Sequence, residues 1–456
     1  MMLKCDKVLF AALAVLVATQ GATRAYASGF ALIENSASGQ GNAFAGAAAV
    51  ASDASTIWFN PAGMMHLGND ELVVAGHFIK PNSKFTNNNS TGAAALGSPP
   101  LSGTDDDGGF NAITGNFYIV KTLDENAKLG LGITTPFGLA TRYDDNWVGR
   151  YHGVETDLKT INFNPSIAFK FNEQLSLGAG INLMLADVIL TSAVDFGSLC
   201  YAFFSPGSCA TMGANPQQSD GFADLSGDNF NDFAWGINLG LLYQISPDTR
   251  LGLAYRSRVT IDVTGDANFT VPSAGGFATA NSLFLDTGLK ASVTLPDSLS
   301  LSLASEQDKW TWLADLTWTG WGSFKELRII YDNPAQPNTV TTEEWKNTVR
   351  VSAGVNYQYS DAMILRAGWA YDETPIPNAE RRTVRIPGNS RRWLSFGVGY
   401  VLNKDINLDF GYSHLFVSDT QINNEFESSV PTLAATINGT YEASVDILSA
   451  QLSWKY

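Results

Sequence analysis

From Glu71 to the C-terminus the chain repeats one device: stretches of about ten residues in which apolar side chains alternate with small or polar ones. In "NTVRVSAGVNYQY", Val349, Val351, Ala353, Val355, Tyr357 and Tyr359 share one parity, and Arg350, Ser352, Gly354, Asn356 and Gln358 share the other. In "RLGLAYRSRVTIDV", Leu251, Leu253, Tyr255, Val259 and Ile261 oppose Gly252, Ala254, Arg256, Arg258 and Thr260. Successive residues of a strand point to opposite faces, so each strand has one apolar face and one that carries charge. A core that is dry on both sides cannot accept the charged face. A sheet with lipid on one side and a wet lumen on the other can.

Connection lengths support the same reading. Short turns such as "FNEQL", "ISPDT", "SEQDK", "YSDA" and "LNKDI" alternate with long segments at 81–109, 137–156, 194–229, 266–285, 324–345, 373–391 and 417–440. Short turns on one rim and long loops on the other describe an outer-membrane barrel with its long loops outside. With "GLKASVTLPDSLSLSLASE" taken as one strand bent at Pro296, the count is about fourteen. An even count places both barrel ends in the periplasm. A β-sandwich has no reason to keep that rhythm. The last residues, "ILSAQLSWKY", put Trp454 and Tyr456 on the outward parity, where an aromatic girdle belongs. The expected fold is all-β: a 14-stranded antiparallel outer-membrane β-barrel filling residues 69–456.

Export follows from the N-terminus. Lys4 and Lys7 precede the apolar run "VLFAALAVLVA", and "AYA" at Ala25–Ala27 supplies small residues for cleavage. The run is too short for a transmembrane helix, which needs roughly 20 residues, so residues 1–27 are expected to be a cleaved signal peptide. Cleavage removes three basic residues and one acidic one, taking the net charge from −16 to −18. So acidic a chain is no partner for nucleic acid. Cys200 and Cys209, close together in "LCYAFFSPGSCA", are expected to pair as a loop disulfide in an oxidising compartment.

Between the cleavage site and the first strand lie residues 28–68, rich in Ala, Gly and Ser and ending in "IWFNPAGMM". An open pore has no use for them. Small residues suit tight packing against a barrel wall, and Asn60-Pro61 initiates a turn in which Pro61 fixes φ and Asn60 is pushed out of the helical region. Ile57, Trp58, Phe59, Met64 and Met65 are expected to form an apolar surface inside the lumen. This segment reads as a hatch, or plug.

No catalytic constellation accompanies it. His66, His77, His152 and His414 are scattered through the chain without a nucleophile elbow or a His-plus-carboxylate metal pattern. "SGQGNAFAG" has no preceding strand and no phosphate-binding Lys. No cofactor and no metal are expected.

The motifs "SGFAL", "NPAGM", "LGLGITTPFGLATRY", "WGINLGLLYQISPDTRLGLAYRS", "TVRIPGNSRRWLSFG" and "INGTYEAS" together resemble the FadL-type long-chain fatty acid transporters of Gram-negative outer membranes. That family includes importers of toluene, xylene and related hydrocarbons. The resemblance implies a hatch carrying the turn Asn60, Pro61 and Ala62, capture of ligand among the outer loops, and a tighter pocket beside Phe30. It also implies sideways exit where the third strand kinks at Thr134–Gly138. Pro136, which has no N–H, and Gly138, which permits a sharp bend, give that kink a physical basis.

A fatty carboxylate in an apolar lumen needs a cation, because an unpaired buried charge is costly. Lumen parity picks out Arg256, Arg258, Lys290, Lys346 and Arg350, and Lys346 matches the position of a family Lys. Against this, the fifth strand carries Asp187 where the family has an Arg, and the lumen cations could instead balance Asp262, Asp315 and Asp372. Phe203, Phe204, Phe222 and Leu225 are candidates for an outer groove. The expected function is passive uptake of long-chain fatty acids or similarly hydrophobic molecules by a monomer set in outer-membrane lipid. The alternatives are uptake of aromatic hydrocarbons and, from another class, an adhesin, receptor or lipid-modifying barrel.

Overall fold

The structure, a computed structural model, describes residues 29–456; the expected signal peptide lies outside the described residues. Fourteen antiparallel strands form one closed sheet. Closure is made by the first strand, Glu71–Asn87, which pairs with the last, Thr436–Lys455, from Glu71 opposite Lys455 to Asn87 opposite Gly439. Closure removes the unpaired edges that a bilayer would not tolerate.

The strands run further than the alternation suggests. Segments expected to be long loops contain sheet: Asp220–Asp228, Glu326–Tyr331 and Thr339–Thr342, and the strand Val259–Thr270 runs past its expected end into the loop at 266–285, all continuing the wall above the level of their lower halves. Several strands are broken once at that level. The seventh runs as Thr249–Arg256 and Val259–Thr270, the eighth as Thr287–Leu295 and Ser298–Gln307. The two breaks face each other, because Arg256 pairs with Ser298 and Val259 with Leu295. Pro296, with no N–H to give the ladder, sits in the break.

This paired break shifts the side-chain parity. Arg256 and Ser298 face the interior, and so do Val259 and Leu295, three residues away in each strand. An odd step between two inward residues turns the apolar face from the outside of the barrel to its inside. Below the break Leu253, Leu299 and Leu301 are exposed on the outer surface; above it Val259, Ile261, Val263 and Leu295 are buried within. The continuous alternation expected through "RLGLAYRSRVTIDV" is therefore corrected to two half-strands of opposite sense.

Inside the barrel, residues 29–68 fold into short helices, Ala37–Gln40, Ala47–Val50 and Thr56–Phe59, followed by a 3-10 turn at Pro61–His66. Serine and asparagine side chains start two of them: Ser36 Oγ accepts from Gly39 N, and Asn60 Oδ1 accepts from Ala62 N. The wall makes room with glycine. A Cβ on Gly178 would lie 2.3 Å from Ala62 N, one on Gly240 2.0 Å from Asn60 Oδ1, and one on Gly368 2.1 Å from the Asn42 carbonyl group. Small residues thus occur on both sides of the contact.

Wall arginines complete the seam by donating to hatch carbonyls that short helices leave unpaired. Arg250 reaches Ala49 O and Val50 O at 3.2 Å, Arg256 reaches Trp58 O at 2.7 Å, and Arg350 reaches Ala43 O at 2.8 Å. Ile57 and Met64 are fully buried against Val73, Tyr118, Val120 and Ala168. The expected apolar surface is thus smaller than the sequence suggested: those two side chains are consumed in packing, and Trp58 and Phe59 line an internal chamber instead.

Candidate functional site

Above the hatch the inward-turned halves of the strands enclose a cavity of about 280 Å³, near the lower end of small-molecule pockets, about 300–1,000 Å³. Its walls are aliphatic: Leu158, Val188, Leu190, Leu225, Ile261 and Leu327 among others. Leu199, Phe284, Val430 and Leu433 from the outer loops also line it. Cys200 and Cys209 are joined by a disulfide that ties the helix Phe196–Phe203, which carries Leu199, to the next helix, Pro206–Thr211.

Phe30 forms the floor. Its ring meets Trp321 edge-on at 4.9 Å between centroids and lies 5.8 Å from Phe324, 5.8 Å from Trp345 and 6.0 Å from Phe137. Each such pair contributes roughly 0.5–1.5 kcal/mol beyond area burial, so the floor is held by several weak contacts rather than one strong one. Gly29 precedes it at φ 32°, wedged where a Cβ would stand 2.6 Å from Trp345 and 2.7 Å from Trp321; only glycine fits there. Beneath lies a second chamber of about 170 Å³ bounded by Trp58, Phe59, Phe137, Trp321, Arg256 and Arg350.

The third strand breaks beside this floor, between Ala127–Thr134 and Gly138–Arg142. The second strand, Ala112–Asp124, pairs with the third only up to Phe117 opposite Ile133. Past that point the third strand pairs with the fourth, Glu155–Lys170, from Gly138 opposite Lys159 to Arg142 opposite Glu155, and on its other side meets a single bridge, Thr141 opposite Gly109. The broken segment finds a substitute partner inside the barrel. Leu32 N donates to Pro136 O at 2.8 Å and Gly138 N donates to Phe30 O at 3.0 Å. The floor residue is thereby bonded to the break in the wall.

The candidate residues divide sharply. Phe30 and Leu225 line the cavity, and Pro136 and Gly138 frame the break. Asn60 is fully buried: its Nδ2 donates to Ala48 O at 2.7 Å and to Leu241 O of the wall at 3.0 Å, next to Pro61 and Ala62. Arg256 and Arg350 do face inward, yet both are committed to the hatch, and Arg256 also stacks on Trp58 at 3.6 Å and bonds Asn182.

Other expectations are corrected. Arg258 falls in the paired break and turns outward to Asp297 at 3.0 Å, while Lys290 lies on the parity opposite Leu289 and Ala291 and meets Asp332 at 3.3 Å. Both side chains are more than half exposed, at 52% and 64%. Lys346 is exposed beside the inward pair Glu343 and Trp345. Asp187 likewise sits between the inward Ala186 and Val188. The outer-groove candidates Phe203 and Phe204 are not among these corrections: they are exposed at the loop surface against Phe277, whereas Phe222 packs on a different cluster, that of Tyr151 and Ala193.

Among the polar residues of the cavity that were missed are His152, Glu343 and Arg385. Glu343 is buried and its Oε2 accepts the Trp345 indole N–H at 2.7 Å. Burial pushes its carboxyl up from 4.5 to about 8. The folded chain therefore holds one more proton than the unfolded chain between those values, and stability falls as pH rises through that window. Glu343→Gln, which keeps an acceptor for Trp345, is expected to match the native thermal stability near pH 4.5. Its advantage should grow up to about pH 8, on the order of several kcal/mol at most. Unfolding curves of the two proteins across that range, followed by heat-modifiable gel mobility, provide the check; parallel curves would remove the buried acid from the account.

Comparison with known proteins agrees with this geometry. A family model described as outer membrane protein transport protein (OMPP1/FadL/TodX) matches residues 18–456. The long-chain fatty acid transport protein of Escherichia coli (strain K12) is 31% identical over 447 residues, covering 93% of this chain and 96% of that protein. Outer membrane protein P1 of Haemophilus influenzae is 29% identical over 98% of both chains. Among solved structures, a Pseudomonas aeruginosa FadL homologue superposes with a TM-score of 0.83 at 24% identity, covering 94% of this chain and all of that one. The Pseudomonas putida toluene transporter TodX superposes at 0.68 and 16% identity, with the same coverage. Closed barrel, inward-turned apolar halves and matching family model agree: the chain belongs to the OMPP1/FadL/TodX family of outer membrane transport proteins.

Proposed function

We propose that this chain moves long-chain fatty acids, or molecules of similar hydrophobicity, inward across the outer membrane without covalent chemistry, as a single barrel in contact with outer-membrane lipid. One observation carries the reading: an apolar cavity whose floor, Phe30, is hydrogen-bonded to a break in the barrel wall. A water-filled pore has no need of such a cavity, and an adhesin or a rim enzyme has no need of a floor coupled to the wall. Phe203 and Phe204, exposed on the outer loops beside the half-buried Phe277, supply a first apolar contact. Ligand then enters the cavity, and displacement of Phe30 frees both the floor and the hydrogen bonds at Pro136 and Gly138. The ligand leaves sideways between the second and third strands, where pairing has already lapsed.

The aliphatic walls also suit uncharged aromatic hydrocarbons, which is the second reading. Uptake of labelled oleate and labelled toluene by a deletion strain, with and without the gene restored, separates the two. Restoration of oleate uptake supports the first reading, and restoration of toluene uptake alone supports the second. Unchanged uptake of both would sink the transport reading altogether.

A further inference from the structure

The cavity is mostly apolar, yet a guanidinium lines it. Arg385 comes from the long connection between Met363–Asp372 and Arg391–Val401 and reaches back to the wall. Its Nη1 donates to Glu155 O at 2.7 Å and Thr156 Oγ1 at 3.0 Å, and its Nη2 donates to Thr191 O at 3.0 Å. All three acceptors are neutral. A guanidinium has five N–H donors, so Nε–H and one Nη2–H remain unspent. Among the described residues no carboxylate pairs with it, although thirteen other lysines and arginines make ion pairs.

The setting holds the cation in place, and although Asp195, Glu343, Glu425 and Glu427 also line the cavity, none of them pairs with it. Gly153 lies over the guanidinium, where a Cβ would stand 3.1 Å from Cζ. Burial pushes the group down to about 10, so it stays charged at neutral pH. His152, next in the chain to Gly153, also lines the cavity. Its Nδ1 is 3.3 Å from Asn424 Oδ1, and burial pushes its imidazole down to about 4, so it contributes no second charge. A buried cation without a counter-ion is costly in a structure that is complete in itself, and it becomes favourable when an anion arrives with its own charge-assisted hydrogen bonds.

We infer that Arg385 is the head-group subsite of the cavity, receiving the carboxylate of a long-chain amphipath on its unspent Nε–H and Nη2–H while the chain lies along the aliphatic wall. This rests on the transport reading and narrows it: the cavity selects an acid over its ester, alcohol or parent hydrocarbon. Selectivity of this kind comes from the protein groups that a neutral ligand would leave unpaired. Uncharged hydrocarbons would still enter, with no preference conferred by Arg385.

The test compares binding of oleate and methyl oleate to the purified, detergent-solubilised full-length protein and to its Arg385→Gln and Arg385→Lys variants. Oleate is expected to bind the native protein more tightly than its ester. Arg385→Gln should weaken oleate by about tenfold or more, the size of a lost charge-assisted bond, and leave methyl oleate unchanged. Arg385→Lys should retain part of the preference. If Arg385→Gln weakened both ligands alike, the residue would be a support of the loop and the subsite would be wrong. Equal affinity of the native protein for acid and ester would also overturn the subsite while leaving the transport reading standing. Failure of the native protein to bind either ligand would overturn both.

Discussion

A planar bilayer holding the Gly240→Val protein is expected to pass a steady ionic current where the native protein stays silent. Gly240 faces inward from the sixth strand, and a Cβ there would stand 2.0 Å from Asn60 Oδ1 and 2.9 Å from Pro61 Cδ. The Asn60 amide cannot yield a little, because it already makes bonds to Ala48 O, Leu241 O and Ala62 N. Its turn must leave the wall as a unit. Each buried polar group that departure leaves unpaired costs roughly 1–3 kcal/mol, several kcal/mol for the turn. The strand itself accepts valine well, so the barrel should assemble and keep its heat-modifiable mobility. The hatch would then sit loosely and water would connect the two sides. A folded Gly240→Val barrel as silent as the native one would show that the turn does not hold the lumen shut.

The second large effect concerns exit. Gly138→Phe is expected to reduce uptake of labelled oleate to the level of the deletion strain while the purified protein still binds oleate. A Cβ at Gly138 would already touch Leu32 Cδ1 at 2.9 Å, and a phenyl ring would occupy the space where the second and third strands fail to pair. Most of the cavity wall, Val188, Leu190, Leu225, Ile261 and Leu327 among it, comes from other strands and would be untouched. Loss of uptake with retained binding is what a blocked exit produces; loss of both would place Gly138 in the binding site. Uptake unaffected by the ring would mean that ligand leaves by another route, through the periplasmic end.

Much of this was legible in the sequence because strand alternation and loop rhythm are local properties. A period of two with charge on one face admits few environments, and short-long connections set the topology without reference to any contact. The turn at Asn60-Pro61 was equally visible, since Pro61 fixes φ whatever surrounds it. The small residues of the 28–68 segment announced close packing; they did not announce that the wall would answer with glycines at Gly178, Gly240 and Gly368.

The cations show where local reading stops. Arg256, Arg258, Lys290, Lys346 and Arg350 were chosen by carrying one parity through each strand. The paired break at Ser257–Arg258 and Pro296–Asp297 reverses that parity, and nothing in either strand alone reveals that the two irregularities face each other. Arg256 and Arg350 do point inward, but the carbonyls they meet belong to a segment some 200 or 300 residues away in sequence. Arg385 was passed over within "TVRIPGN" because a long loop gives no parity to read, although its flanking Val384 and Ile386 are an apolar setting unusual for a solvated arginine.

The sequence by itself therefore determined the barrel, its alternation of short and long connections and the presence of a plug, since these follow from periodicity, connection length and backbone constraint. Only the tertiary structure decided which cations are spent on the hatch and which one is left with donors to offer. That depends on where two neighbouring strands slip in parity together and on which carbonyls folding brings within about 3 Å, and both are properties of pairs of segments rather than of either one.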